Sequence, residues 1–128
     1  MATITNYITK TKEGKETGFD LDNITKDIQA DYLVEKQKPK ILNWLKRYDR
    51  RFNKNKYKLF YNYSTNKVEI DVDRNVDLND QKLIKFPDYI RFNEVDGWFY
   101  CSDNQLTSLE GCPREVGGSF YCSDNQLT

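Results

Sequence analysis

Gly97-Trp-Phe-Tyr-Cys-Ser-Asp-Asn-Gln-Leu-Thr107 returns 21 residues later as Gly118-Ser-Phe-Tyr-Cys-Ser-Asp-Asn-Gln-Leu-Thr128, with 10 of 11 positions identical. A match of this length is an internal repeat, so one short backbone unit is built twice and stacked on itself. Phe99 and Cys101, like Phe120 and Cys122, share one parity of an extended segment, while Tyr100 and Tyr121 take the other. Side chains alternate along a strand, which predicts phenylalanine and cysteine inside and tyrosine outside. Asn104 and Asn125 fall where the chain must turn, and an inward amide there can bond backbone groups of neighbouring turns. Leu106, Leu109, Cys112 and Val116 are expected to fill the layer behind. An earlier, degenerate copy aligns Leu78 with Cys101, Leu83 with Leu106 and Phe86 with Leu109, with Gln81 at the position of Asn104. It is two residues longer, as a terminal unit that joins the stack to something different can be. Val68, Ile70 and Val72 can add a further rung or form the cap.

The spacing of Phe99, Cys101, Asn104 and Leu106 is similar to the L-x-L-x-x-N-x-L signature of leucine-rich repeats. Residues 76–128 resemble the cysteine- and asparagine-containing leucine-rich-repeat proteins of bacteria and their tailed phages, which carry C-S-x-N-x-L-T-S-L-E-G-x-P units. The resemblance implies a protein-binding role and no enzymatic activity or cofactor. It also suggests a phage or bacterial factor that binds and modulates a host or defence protein. The expected α/β architecture is an N-terminal helical cap with a β-hairpin, residues 1–75, joined to a short leucine-rich-repeat-like solenoid of parallel strands, residues 76–128. The repeat stops at Thr128 before its turn sequence, as expected of part of a longer array or of an open edge used for self-association.

Upstream, a short strand is expected at Thr3–Ile8 and a loop over residues 10–18. A first helix is expected from Thr25 to Glu35, with Asp22 or Asn23 capping it and Ile24, Ile28 and Tyr32 spaced by four. Pro39 suits the first turn of a second helix. Ile41, Leu42, Trp44, Leu45, Tyr48 and Phe52 would line its inner face, with Trp44 and Leu45 packed on the first repeat strands, and Lys40, Lys46, Arg47, Arg50 and Arg51 its outer face. Tyr57–Tyr63 and Lys67–Asp73 alternate around a turn near Asn66, which predicts an antiparallel hairpin.

The chain has 128 residues with 20 basic and 20 acidic side chains and no histidine. Lack of histidine removes the usual general base and the usual metal ligand. Neutrality hides a division of charge: residues 36–58 carry +9, while those before and after carry −3 and −6. No apolar run approaches the roughly 20 residues that span a bilayer, and the first residues lack an apolar signal segment. Cytoplasm is therefore the expected compartment, with Cys101, Cys112 and Cys122 as reduced packing residues.

Three functional readings follow. In the first, Trp98, Tyr100 and Tyr121, flanked by Asp103 and Asp124, form an aromatic and acidic surface for a protein partner of unknown identity. In the second, nucleic acid binds the basic stretch 38–56 through Lys40, Lys46, Arg47, Arg50, Arg51 and Lys54, helped by Lys56 and a stacking platform of Tyr57, Tyr61 and Tyr63. In the third, the weakest, Asp71, Asp73 and Asp77 hold a hydrolytic metal, although they lie in one stretch without a further convergent ligand.

Overall fold

The computed structural model describes residues 21–128, with side chains from Ile24 onward. The strand expected at Thr3–Ile8, the loop over 10–18 and the capping side chains of Asp22 and Asn23 lie outside the described residues. One helix, α1 (Leu21–Tyr48), replaces the two expected, and Pro39 lies inside it. An interior proline removes one ladder hydrogen bond and costs about 3 kcal/mol in an isolated helix. Two things offset that cost. The preceding Glu35, Lys36, Gln37 and Lys38 are all good helix formers. Buried side chains hold both halves down, Ile24 and Ala30 before the proline and Ile41, Trp44 and Leu45 after it.

The helix ends at Tyr48 rather than running through Phe52 because Asp49 turns inward. Its Oδ1 accepts the backbone N–H groups of Arg51 (2.9 Å) and Asp77 (3.0 Å), and its Oδ2 accepts the Tyr57 hydroxyl at 2.6 Å. A 3-10 turn (Lys54–Lys56) then leads into β1 (Tyr57–Asn62), which pairs antiparallel with β2 (Lys67–Val72). The hairpin turns at Asn66, whose φ of 59° suits asparagine.

From β2 onward each turn of chain contributes two short extended segments separated by a bend. The later strands are β3 (Val76–Asp77), β4 (Phe92–Val95), β5 (Phe99–Tyr100), β6 (Glu115–Val116) and β7 (Phe120–Tyr121). They sort into a four-stranded mixed sheet, β1-β2-β4-β6, and a separate three-stranded parallel sheet, β3-β5-β7. The bend between them falls at Asp96–Gly97 and again at Gly117–Gly118. A Cβ on Gly117 would fall on the Asp96 backbone carbonyl, so glycine is required there by close approach.

This arrangement overturns the leucine-rich-repeat-like solenoid. A leucine-rich repeat lines up one strand per turn in a single curling sheet. Here two strands per turn divide between two sheets, giving a mixed β-sheet fold with one long helix. The helical cap of two helices, the solenoid and the phage or bacterial label that rested on the resemblance fall together. The sequence repeat itself is expressed as register: Phe99 pairs with Phe120 and Tyr100 with Tyr121, while the degenerate copy sets Val76 against Phe99 and Asp77 against Tyr100.

Between the sheets and the helix lies one core. Ile70, Val72 and Val95 from the mixed sheet meet Val76, Phe99 and Cys101 from the parallel sheet, closed by Ile41, Trp44 and Leu45. Trp44 meets Phe86 edge-on at 5.6 Å, and Phe92 meets Phe99 at 5.1 Å, a favoured aromatic geometry. Burial fades toward β7. Phe120 stacks on Phe99 at 5.6 Å but stays 37% exposed, and Leu109, expected inside, is exposed.

Asparagines close the turns. The Asn104 Oδ1 accepts the N–H groups of Gln81 and Leu83, and its Nδ2 donates to the carbonyls of Leu78, Cys101 and Ser102. Asn125 repeats this one turn later with Leu106 N–H and the carbonyls of Cys101, Cys122 and Ser123. A second clamp crosses the mixed sheet, where Arg114 grips the enclosed Glu69 through two bonds of 2.7 and 2.9 Å. That guanidinium, with bonds from Asn62 and Thr65, holds the Glu69 pKa down at about 2.

Candidate functional site

The parallel sheet presents its outer face through side chains of one parity. Trp98 and Tyr100 project on the same side and stack with centroids 3.9 Å apart at 16°. Tyr121 stands beside Tyr100 in the neighbouring strand, 4.8 Å away and tilted by 57°. The Arg51 guanidinium lies over the Trp98 ring at 5.5 Å, within cation–π range. Arginine and three rings thus form one continuous row from the end of α1 to the last strand. Trp98 and Tyr100 are half-buried, and Tyr121 is 51% exposed.

Why the row is straight follows from the backbone. Trp98 N–H is fixed by the Asn75 amide at 2.8 Å, and Ser102 N–H by the Asn79 amide at 2.7 Å. Ser102 and Ser123 then link the next turn hydroxyl to hydroxyl at 3.1 Å. Asp103 and Asp124, expected on the binding surface, are exposed at φ values of 57° and 55°, and Asp80 occupies the same place in the degenerate copy at 54°. Aspartate tolerates this left-handed region better than most residues, so these three shape the turns as well as placing a row of negative charge beside the rings.

The basic residues do not form one stripe. Lys46 and Arg47 are exposed on α1, Arg47 lying over Tyr48, and Lys40 sits over Tyr89 at 4.9 Å. Arg50, Arg51 and Lys54 come after the helix has ended, because Asp49 redirects the chain. Arg50 and Arg51 instead border an open concavity of about 560 Å³ shared with Arg74, Asn53 and Asn75. Sequence reasoning missed Asp49 and Lys56 as a pair and counted Lys56 among the residues that would help bind nucleic acid. Lys56 is buried, 3.4 Å from Asp49, and donates to the carbonyls of Arg51 (2.6 Å) and Asn75 (2.7 Å). Burial lowers its pKa against the opposing pull of Asp49, and burial with the Asp49 bond raises that of Tyr57. These groups bind the stretch 49–57 to the outer edge of β3, where Arg50 N–H also donates to Asp77 O at 2.9 Å.

The remaining candidates separate. Tyr57 is spent on Asp49, while Tyr61 and Tyr63 meet edge-on at 5.0 Å rather than offering parallel faces. Asp71 accepts from Asn93, and Asp77 accepts from Asn79 N–H within its own turn. Among the described residues no group of three or more cysteine, aspartate or glutamate side chains is arranged to hold a metal ion. Cys101, Cys112 and Cys122 are free thiols against the core. The bond between the Cys101 and Cys112 thiols lowers the pKa of the first and raises that of the second. No helix among the described residues is long and apolar enough to cross a membrane.

No protein-family model matches this chain, and neither curated proteins nor solved structures yield a match. The fold and the site therefore stand by themselves as a mixed-sheet protein with an arginine-flanked aromatic row.

Proposed function

We propose that this protein is a non-enzymatic binding module that engages a partner protein through Trp98, Tyr100 and Tyr121. The supporting observation is the row itself: three large rings held in register by backbone-directed asparagines, Trp98 and Tyr100 half-exposed and Tyr121 exposed. Tyrosine and tryptophan give large contact area at little entropic cost and dominate the energetic centres of protein interfaces. Asp103 and Asp124, on the later turns, select basic groups only in the part of the partner that lies away from Arg51.

Nucleic acid fits this surface less well. Base stacking needs a free ring face, whereas Trp98 is engaged by Tyr100 and by Arg51. A phosphate chain following the rings would also run beside Asp80, Asp103 and Asp124. The test is retention of a partner from native cell extract. Tyr100→Ala with Tyr121→Ala should lose it, while Lys46→Ala with Arg47→Ala should keep it. Retention that depends on Lys46 and Arg47 and disappears with nuclease would reverse the assignment.

A further inference from the structure

We infer that the concavity bounded by Arg50, Arg51 and Arg74 is an anion subsite of the same surface, taking the carboxylates of an acidic protein segment that continues onto Trp98 and Tyr100. This rests on the binding-module reading above and names the partner's chemistry. Among the described residues none of the three guanidiniums is paired with a carboxylate; the ion pairs are Lys56–Asp49, Arg91–Glu110 and Arg114–Glu69. The side chain of Arg50 makes one long contact, 3.4 Å to the Asp80 carbonyl, and that of Arg51 rests on the Trp98 ring. Three such charges around one concavity repel one another, and a bound anion relieves that repulsion.

The lining offers few free acceptors, namely the Asp73 carboxylate and the Asn55 side-chain carbonyl. The Asn53 carbonyl oxygen is occupied by Asn55 N–H, and that of Asn75 by Trp98 N–H, which leaves their amide N–H groups as the available function. Lys56 is committed to Asp49 and two carbonyls, so it acts as a fixed post rather than a ligand group. Asp73 is the one acidic residue in the lining, against three arginines. Bonds from Lys56 to Asn75 and from Asp77 to Asp49 fix the walls before any ligand arrives, which lowers the entropic cost of binding. Guanidinium forks match carboxylate geometry in paired bonds. Arg51 belongs to both the concavity and the aromatic row, so an acidic stretch followed by an apolar or aromatic residue meets both without a gap.

The experiment uses the full chain and two fluorescent peptides, one of six glutamates and one of four glutamates followed by tyrosine and leucine, with an eight-nucleotide oligothymidylate and inorganic phosphate as competitors. Titration should shift the Arg51 and Arg74 Nε–H resonances. Arg51→Gln with Arg74→Gln should weaken both peptides by about tenfold or more, and binding should fall as salt rises from about 50 to about 500 mM. Tyr100→Ala with Tyr121→Ala should weaken the tyrosine–leucine peptide alone. No binding at millimolar peptide, binding within twofold of wild type in the arginine variant, or stronger binding by oligothymidylate or phosphate would each overturn the subsite. Dependence on the arginines without any dependence on the tyrosines would leave the subsite standing and refute the aromatic surface.

Discussion

Replacing Asn104 by alanine removes one amide and severs five hydrogen bonds, but they are not equivalent. Ser102 O keeps a bond from Asp80 N–H at 3.0 Å, and Cys101 O keeps one from the Asn125 amide at 3.0 Å. Gln81 N–H lies at a half-buried residue, where water can replace the lost acceptor. Two groups are left without a substitute, the N–H of buried Leu83 and the carbonyl of buried Leu78. An orphaned buried polar group costs about 1–3 kcal/mol, so the expected loss is about 3–5 kcal/mol, a large share of the 5–15 kcal/mol typical of a domain. Asn125→Ala severs four bonds one turn later, with a single N–H rather than two among them and at a half-exposed position, and the expected loss is about 1 kcal/mol. Urea unfolding followed by tryptophan fluorescence and far-ultraviolet circular dichroism would measure both, with an unchanged slope showing that only stability moved. Equal losses in the two variants, or less than about 1 kcal/mol for Asn104→Ala, would refute the view that the inward amide carries the turn.

Other outcomes follow from the same structure. Glu69 has its folded pKa depressed to about 2, so its contribution is complete above the unfolded carboxylate range and is lost as pH falls through that range toward 2. With Arg114 half exposed, screening reduces it to about 2 kcal/mol; the stability gap between wild type and Glu69→Gln should therefore shrink from pH 6 to pH 2, and a constant gap would contradict the ion pair. Phe99→Ala should cost about 3–5 kcal/mol in chemical denaturation and Phe120→Ala about 1–2, because only the first ring is enclosed; equal costs would show the last strand to be packed more tightly than described. Asp49→Asn leaves buried Lys56 without its counter-charge and should lose about 3 kcal/mol in a thermal melt, most of it recovered by adding Lys56→Met. A double variant as unstable as Asp49→Asn alone would place the cost elsewhere.

The repeat was legible because identical spacing forces identical register: Phe99 and Cys101 inside, Tyr100 and Tyr121 outside, Asn104 turned to the backbone. Trp44 and Leu45 could also be placed on the core, since their helical face is apolar over several turns. What periodicity could not tell was how many extended segments each turn contains. A two-residue strand such as Glu115–Val116 has no pattern of its own, and its pairing with β4 depends on the bend at Gly117. The leucine-rich-repeat spacing was therefore satisfied by a different sheet arrangement. Pro39 misled for a related reason, as local propensity favours a helix start there while burial on both sides carries the helix through. The Asp49–Lys56–Tyr57 cluster had no sequence signal apart from a lone acid in a basic run, and its meaning depends on Asp77, 28 residues away. So the aromatic half of the candidate site was readable as an outward row from residue parity, and the arginine half only from the tertiary structure.

The central claim is that the ring row is a protein-binding surface, and photo-crosslinking in living cells tests it most directly. A benzoylphenylalanine placed at Tyr121, with another at the exposed Ile84 as control, would be irradiated and the products resolved by mass. The account predicts a discrete protein adduct from position 121 that is absent from position 84 and weakened by Arg51→Gln. Adducts of equal pattern from both positions, or an adduct at 121 that nuclease removes, would contradict it.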